Sequence, residues 1–171
     1  MAETIEVGIV MGSASDWPNM EPAAALLKEW SIGVEVTVAS AHRAPKRVLA
    51  YAREAAGRGV KVIIAAAGHA AHLAGVLAAE TTLPVIGVPL PSSDLKGLDS
   101  LYSTVMMPAG VPVATMALGA AGAKNAAIFA AQILALSDQR IRDILSGHKQ
   151  ILEQKVLQQA EQIPQEYRPK E

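Results

Sequence analysis

Val60-Lys61-Val62-Ile63-Ile64-Ala65-Ala66-Ala67 runs directly into the turn Gly68-His69-Ala70-Ala71-His72. The first eight residues are nearly all apolar, without the alternation of a strand that has one wet face. They read as a strand buried on both sides, which is the mark of a parallel sheet. Behind the turn, residues 70–80 have the length and Ala/Leu composition of a helix. The same unit recurs along the chain. Apolar runs at 5–11, 34–39, 84–90 and 112–118 alternate with helical segments at 20–30, 46–58 and 123–136. Strand–helix alternation of this kind predicts an α/β fold, a three-layer sandwich whose helices cover both faces of a central parallel sheet. The preferred strand order is 2-1-3-4-5.

Two segments depart from the pattern. Residues 91–111 form a long connection rich in Pro, Ser and Gly that leads into Met106-Met107-Pro108-Ala109-Gly110-Val111-Pro112. A loop of that length in a compact domain is usually functional or packed on a partner. Residues 138–163 keep Ile141, Ile144, Leu145, Ile151, Leu152 and Val156 on one helical face. At 1.5 Å per residue, such a helix is about 35–40 Å long. Its outer part is expected to pack on another subunit, the alternative being a helix docked on its own sheet. Residues 1–163 read as one domain, and 164–171 as a disordered tail.

Composition narrows the function. The 171 residues are 51% hydrophobic but only 4% aromatic, so Ala, Val, Ile and Leu must build a closely packed core. With 15 basic against 16 acidic residues, the net charge of −1 gives no general attraction to nucleic acid or anionic membranes. The absence of cysteine excludes disulfides, thiolate catalysis, zinc–cysteine sites and iron–sulfur clusters. No apolar run is long enough to span a membrane. The N-terminus lacks the basic start and apolar stretch of a signal peptide, so a cytoplasmic protein is expected.

Ligands of open α/β sheets bind beyond the carboxyl ends of the strands, where the strand order reverses. Three expected strand ends are polar: Gly12-Ser13-Ala14-Ser15-Asp16-Trp17-Pro18, Ser40-Ala41-His42-Arg43-Ala44-Pro45, and Gly68-His69-Ala70-Ala71-His72. The first two echo each other, each ending in a proline suited to the first turn of a helix. Backbone N–H groups and serine hydroxyls would then converge on one point, as in a phosphate cradle. Arg43 adds a planar cation that can bind a phosphate in bidentate fashion. Asp16 can accept hydrogen bonds from sugar hydroxyls, although Ser15 and Asp16 also suit helix N-caps. His42 is the candidate proton carrier, since imidazole ordinarily titrates near neutrality; the competing reading is a structural histidine. His69 and His72 stand three apart at the expected start of a helix. No nearby carboxylate or cysteine completes a ligand set, and no metal is expected. Gly68 and Gly75 read as positions where backbone approaches a ligand. Walker, dinucleotide-binding and nucleophile-elbow motifs are missing.

Taken together, these strings resemble the PurE family of purine biosynthesis. The match extends through Val10-Met11-Gly12-Ser13-Ala14-Ser15-Asp16-Trp17, Ser40 to Pro45, and Ala70-Ala71-His72-Leu73. It continues in Asp99-Ser100-Leu101-Tyr102-Ser103, Met107-Pro108-Ala109-Gly110, and Ala123-Lys124-Asn125-Ala126-Ala127. The closer relatives are the class I enzymes, N5-carboxyaminoimidazole ribonucleotide mutases; class II members carboxylate aminoimidazole ribonucleotide directly with CO2. Class I enzymes commonly carry Gly at the place of His69 and Pro at that of Ala74. Pro91-Ser92-Ser93-Asp94 is nearer to class II, but Ala-Ala-His-Leu after the third strand favours class I.

The resemblance implies a flavodoxin-like fold with a long C-terminal helix, and a homo-octamer. It implies migration of a carboxyl group from N5 to C4 by decarboxylation, CO2 retention and recarboxylation, without metal, ATP or organic cofactor. Carried over by motif, His42 would be the general acid/base. Ser15, Ser40 and Arg43 would hold the 5′-phosphate, and Asp16 the ribose. Ser13, Ala67, Gly68 and Leu73 would line the space for base and CO2, with Ala41 and His72 beside them. The alternatives are a direct carboxylase and a non-catalytic ribotide-binding module.

Overall fold

The computed structural model describes residues 4–169. Five parallel strands form one sheet in the order β2-β1-β3-β4-β5. They are β1 (Ile5–Met11), β2 (Gly33–Val38), β3 (Val62–Gly68), β4 (Val85–Leu90) and β5 (Ala114–Thr115). The helices are α1 (Trp17–Glu29), α2 (Pro45–Glu54), α3 (Leu73–Glu80), α4 (Leu98–Val105), α5 (Gly119–Leu134) and α6 (Gln139–Ala160). This is the expected flavodoxin-like sandwich.

Burial follows each strand's place in the sheet. The central strands β3 and β4 are covered on both faces, whereas the edge strand β2 leaves Val36 and Val38 exposed. The two-residue period of a strand divides the core. Val7, Ile9, Ile64 and Ile86 face the layer of α1 and α5. Val10, Ile63 and Ala65 face the layer that holds α2 and α3. In α5, Gly122, Ala123, Ala126, Ala127, Ala130 and Ala131 are buried along one face, and helix α1 packs against it. Small side chains let the layers approach closely, which is how a core nearly free of aromatics still reaches native density.

Three expectations need correction. The fifth strand, expected over 112–118, pairs with β4 only at Ala114–Thr115, with one further bond from the Met116 N–H to the Gly87 carbonyl. Pro112 has no N–H to contribute to a ladder, and α5 begins at Gly119. The connection 91–111 is no plain loop, because it carries α4. That helix turns its hydroxyls inward: Ser100 and Thr104 are buried and donate to the carbonyls of Leu90, Gly97 and Ser100. Its apolar residues Leu98, Tyr102 and Val105 point to solvent. The third helix starts at Leu73 rather than 70, so His69 lies in a loop and His72 at the helix cap.

Helix α6 begins where the Asp138 side chain accepts a hydrogen bond from the Ile141 N–H. Ile141 is fully buried, and Ile144 and Leu145 pack on the core. His148 still meets Trp30 edge to face; beyond it the helix leaves the domain, and Ile151, Leu152, Val156 and Leu157 are exposed. Past Ile163, where disorder was expected, Gln165–Tyr167 forms an exposed 3-10 turn; residues 170 and 171 lie outside the described part.

Candidate active site

In the register, Met11 pairs with Val38 and Ala66, and Gly68 pairs with Leu90. The loops after β1, β2, β3 and β4 therefore leave the same edge of the sheet. Between β1 and β3 the chain order reverses, and there the loops splay apart into a cleft of about 460 Å³.

The loop after β1 is a 3-10 turn, Ala14–Asp16, closed by a reciprocal cap. The Ser13 Oγ accepts from the Ser15 N–H, and the Ser13 N–H donates to Asp16 Oδ2 at 2.9 Å. Ser15 Oγ donates to Ser13 Oγ at 2.9 Å, so both hydroxyls stand together at the mouth. Asp16 thus serves as a cap and a wall of the cleft at once. Burial pushes its carboxyl above the ordinary aspartate range, against the Ser13 N–H and the charges of Arg43 and His69. Such a carboxylate gains from any hydroxyl donor that a ligand brings.

The loop after β2 is held by its own arginine. The Arg43 N–H and Nε both donate to Ser40 Oγ, at 3.2 and 3.3 Å, and Nη2 donates to the Gly12 carbonyl at 3.1 Å. The guanidinium is therefore fixed between the first two loops, with its remaining N–H groups free for an anion. Pro45 occupies the first turn of α2, as the echo of Pro18 in α1 suggested. Beside it, His42 Nε2 lies 2.7 Å from His72 Nδ1, and the two rings meet edge to face at 4.9 Å. At this distance one ring nitrogen donates to the other, so each imidazole fixes the orientation of its neighbour.

All the predicted residues line this one cleft: Ser13, Ser15 and Asp16; Ser40, Ala41, His42 and Arg43; Ala67, Gly68, His72 and Leu73. The pairing of His69 with His72 on one helical face does not occur. His69 takes a left-handed backbone, with φ of +54°, and shares a 3.2 Å hydrogen bond with Ser92 instead. Gly68 does line the cleft, but Ser92 is what occupies the space of its missing side chain: a Cβ there would sit 1.6 Å from Ser92 Oγ. Gly75 faces the Met107 side chain in a neighbouring groove, not this cleft.

A model of the family described as AIR carboxylase matches residues 6–155. The chain belongs to the AIR carboxylase family. The N5-carboxyaminoimidazole ribonucleotide mutase of Bacillus subtilis (strain 168) is 52% identical over 92% of this chain and 97% of that protein. The mutase of Mycobacterium tuberculosis (strain CDC 1551 / Oshkosh) is 56% identical over 82% of this chain and 79% of its own length. A crystal structure of Treponema denticola PurE covers 93% of this chain and 98% of its own, with 29% identity and a TM-score of 0.83.

In this family member, Gly12, His69, Ala70 and Ser92 also line the cleft; the sequence placed Gly12, His69 and Ala70 in the expected ligand loops, and marked His69 as a departure from class I, without giving any of the four a binding role. Ser92 was within reach, since it stands two residues past the end of β4 at the same sheet edge. The hydrogen bond that makes it part of the site is a contact across 23 positions, and no local pattern announces it.

Proposed function

We propose that this chain is an N5-carboxyaminoimidazole ribonucleotide mutase, an isomerase of purine biosynthesis that moves a carboxyl group from N5 to C4. The observation that carries the reading is the 2.7 Å His42–His72 pair, set beside Arg43 in a cleft whose other wall is Asp16. Ser15, Ser40 and Arg43 bind the 5′-phosphate, and the Asp16 carboxylate takes the ribose hydroxyls. These contacts pin the base so that its reacting edge meets His42.

In the first half of the reaction the N5–carboxyl bond breaks, its electron pair returns to N5, and the His42 imidazolium gives N5 a proton. CO2 and the neutral amine remain in the cleft. C4 then attacks the CO2 carbon, forming the C–C bond, and ring C4 carries both hydrogen and carboxylate. His42 takes that hydrogen as a proton, which restores the aromatic ring and the starting charge of the imidazole. One titrating side chain suffices, because the proton given to nitrogen is recovered from carbon. Ala41, Ala67, Gly68 and Leu73 are small or apolar, and they leave a space for CO2 without hydrogen-bonding it away.

The assembly is a homo-octamer, and the protein is cytoplasmic. The exposed apolar faces of α4 (Leu98, Tyr102 and Val105) and of α6 (Ile151, Leu152, Val156 and Leu157) support the oligomer, because large apolar side chains grouped on an exposed helix face mark an interaction surface. Among the described residues no helix is long and apolar enough to cross a membrane.

The test is turnover of N5-carboxyaminoimidazole ribonucleotide without added metal or ATP, run beside aminoimidazole ribonucleotide with bicarbonate. Rapid conversion of the carbamate is the expected result. Turnover of the second pair alone would make the enzyme a direct carboxylase, and no turnover of either would leave a ribotide-binding module. Light scattering at micromolar concentration should give eight times the chain mass; a monomer would refute the assembly.

A further inference from the structure

His69 stands out in the cleft wall. Among the described residues only Ser31, His69 and Lys96 take a positive φ without being glycine, and His69 alone of the three lines the cleft. A bulky side chain held in that conformation implies that something else fixes it. Here the fixing contact is the 3.2 Å bond between His69 Nδ1 and Ser92 Oγ. Ser92 is itself firmly seated: its N–H donates to the Leu90 carbonyl at 3.0 Å, and its hydroxyl fills the space that Gly68 leaves open.

From His69 the chain makes two tight turns to His72. The Ala71 N–H donates to the His69 carbonyl at 2.9 Å, and the His72 N–H to the Ala70 carbonyl at 2.7 Å. No slack remains between the two histidines, so a tilt at His69 is passed on to His72. The His72 side chain makes no capping bond at the start of α3, and its Nδ1 meets His42. A ring-to-ring hydrogen bond is directional and weakens steeply when misaligned.

On the basis of the mutase reading, we propose that His69 is a positioning residue: clamped to Ser92, it sets the β3–α3 loop so that His72 holds the proton-carrying edge of His42 in register. His69 acts through His72; it makes no hydrogen bond to the phosphate or ribose side chains and reaches Asp16 only through its charge, which Ser92→Ala leaves in place.

The test compares Ser92→Ala, His69→Ala, His69→Asn and His69→Gly with the wild type. The measurements are kcat and KM on N5-carboxyaminoimidazole ribonucleotide, imidazole 15N shifts of His42 and His72, and the melting temperature. Ser92→Ala and His69→Ala should each lower kcat about tenfold, the effect of a slightly misplaced reacting group, with KM within about twofold. Both should move the ring nitrogen shifts of His42 and His72. His69→Asn should recover most of kcat, because asparagine tolerates the left-handed backbone and its amide can bond Ser92. His69→Gly should separate fold from function: relief of the backbone raises the melting temperature by about 2–4 °C, yet kcat falls as in His69→Ala.

Wild-type kcat in Ser92→Ala or in His69→Gly would overturn the proposal, as would His69→Asn performing no better than His69→Ala. Should the wild type itself not convert the carbamate, the mutase reading falls. The clamp is then judged on the ring shifts alone, and unmoved His42 and His72 signals in Ser92→Ala would overturn it.

Discussion

Gly8→Ala is the sharpest test of how the sheet and its α2 layer fit together. A Cβ at Gly8 would lie 2.0 Å from the Tyr51 hydroxyl oxygen and 3.1 Å from its Cζ. Ordinary contact starts near 3.4 Å, so the hydroxyl must withdraw by about 1.4 Å. Tyr51 is not free to do so. Its hydroxyl donates to Glu35 Oε1 at 2.8 Å, and the Arg58 guanidinium lies over its ring, 5.0 Å from the centroid. Withdrawal gives up a hydrogen bond to a charged acceptor, worth about 1.5–3 kcal/mol, and adds an overpacking cost of about 1 kcal/mol or more. The expected loss is about 3 kcal/mol, which in a chain of this size lowers the melting temperature by about 6–12 °C. Calorimetry or urea unfolding reads it directly.

The decisive control is the same change in a Tyr51→Phe background. The atom at 2.0 Å is then gone and the remaining ring carbon at 3.1 Å needs only a small adjustment, so the added methyl should cost about 1 kcal/mol. The double-mutant cycle should therefore show a coupling of about 2 kcal/mol between the two positions. Equal costs in both backgrounds, or a Gly8→Ala cost under about 1 kcal/mol with Tyr51 present, would refute the reasoning.

His42→Asn should keep the melting temperature and the affinity for a substrate analogue but lose about 10²–10⁴-fold in kcat; single-turnover kinetics with calorimetric binding reads both. Desolvation alone would raise the Glu35 carboxyl, but hydrogen bonds from Arg58 and Tyr51 outweigh it and hold the group below its usual range. A depressed carboxyl contributes stability that is present above pH 4.5 and is lost as the pH falls through its folded value. Glu35→Gln should be less stable at neutral pH, with a smaller further loss on acidification, and a stability profile parallel to the wild type would contradict this. Asp16 has the opposite sign. Its carboxyl is raised by burial, so it opposes folding at neutral pH, and that penalty is relieved as the pH falls through the raised value and on to 3.8. Asp16→Asn should remove this gain on acidification and weaken analogue binding about tenfold or more; unchanged binding would take Asp16 out of the ribose contact.

The missed helix α4 shows where sequence reading stops. Leu98, Leu101, Tyr102 and Val105 have helical spacing, but the segment also carries Asp99, Ser100, Ser103 and Thr104 and lies between prolines and glycines, so it reads as a connection. The usual inference from periodicity would also have turned this helix the wrong way. Its buried side is the hydroxyl side, because the carbonyls of Leu90, Gly97 and Ser100 are there to accept from Ser100 and Thr104. Local pattern gives a helix its stripe; only the surroundings say whether that stripe faces the core or a partner.

The chain's local chemistry alone determined the parallel sheet, the strand ends that carry function, and the residues of the first two loops. Unbroken apolar runs have no stable place except between two helical layers, and polar residues directly behind them can only emerge at the sheet's edge. Tertiary structure decided the rest. It paired His42 with His72 across 30 positions and tied His69 to Ser92 across 23. It also gave Gly68 its purpose, which is to make room for Ser92. These relations depend on where four strands end relative to one another, and that alignment is set by the register of the whole sheet rather than by any segment within it.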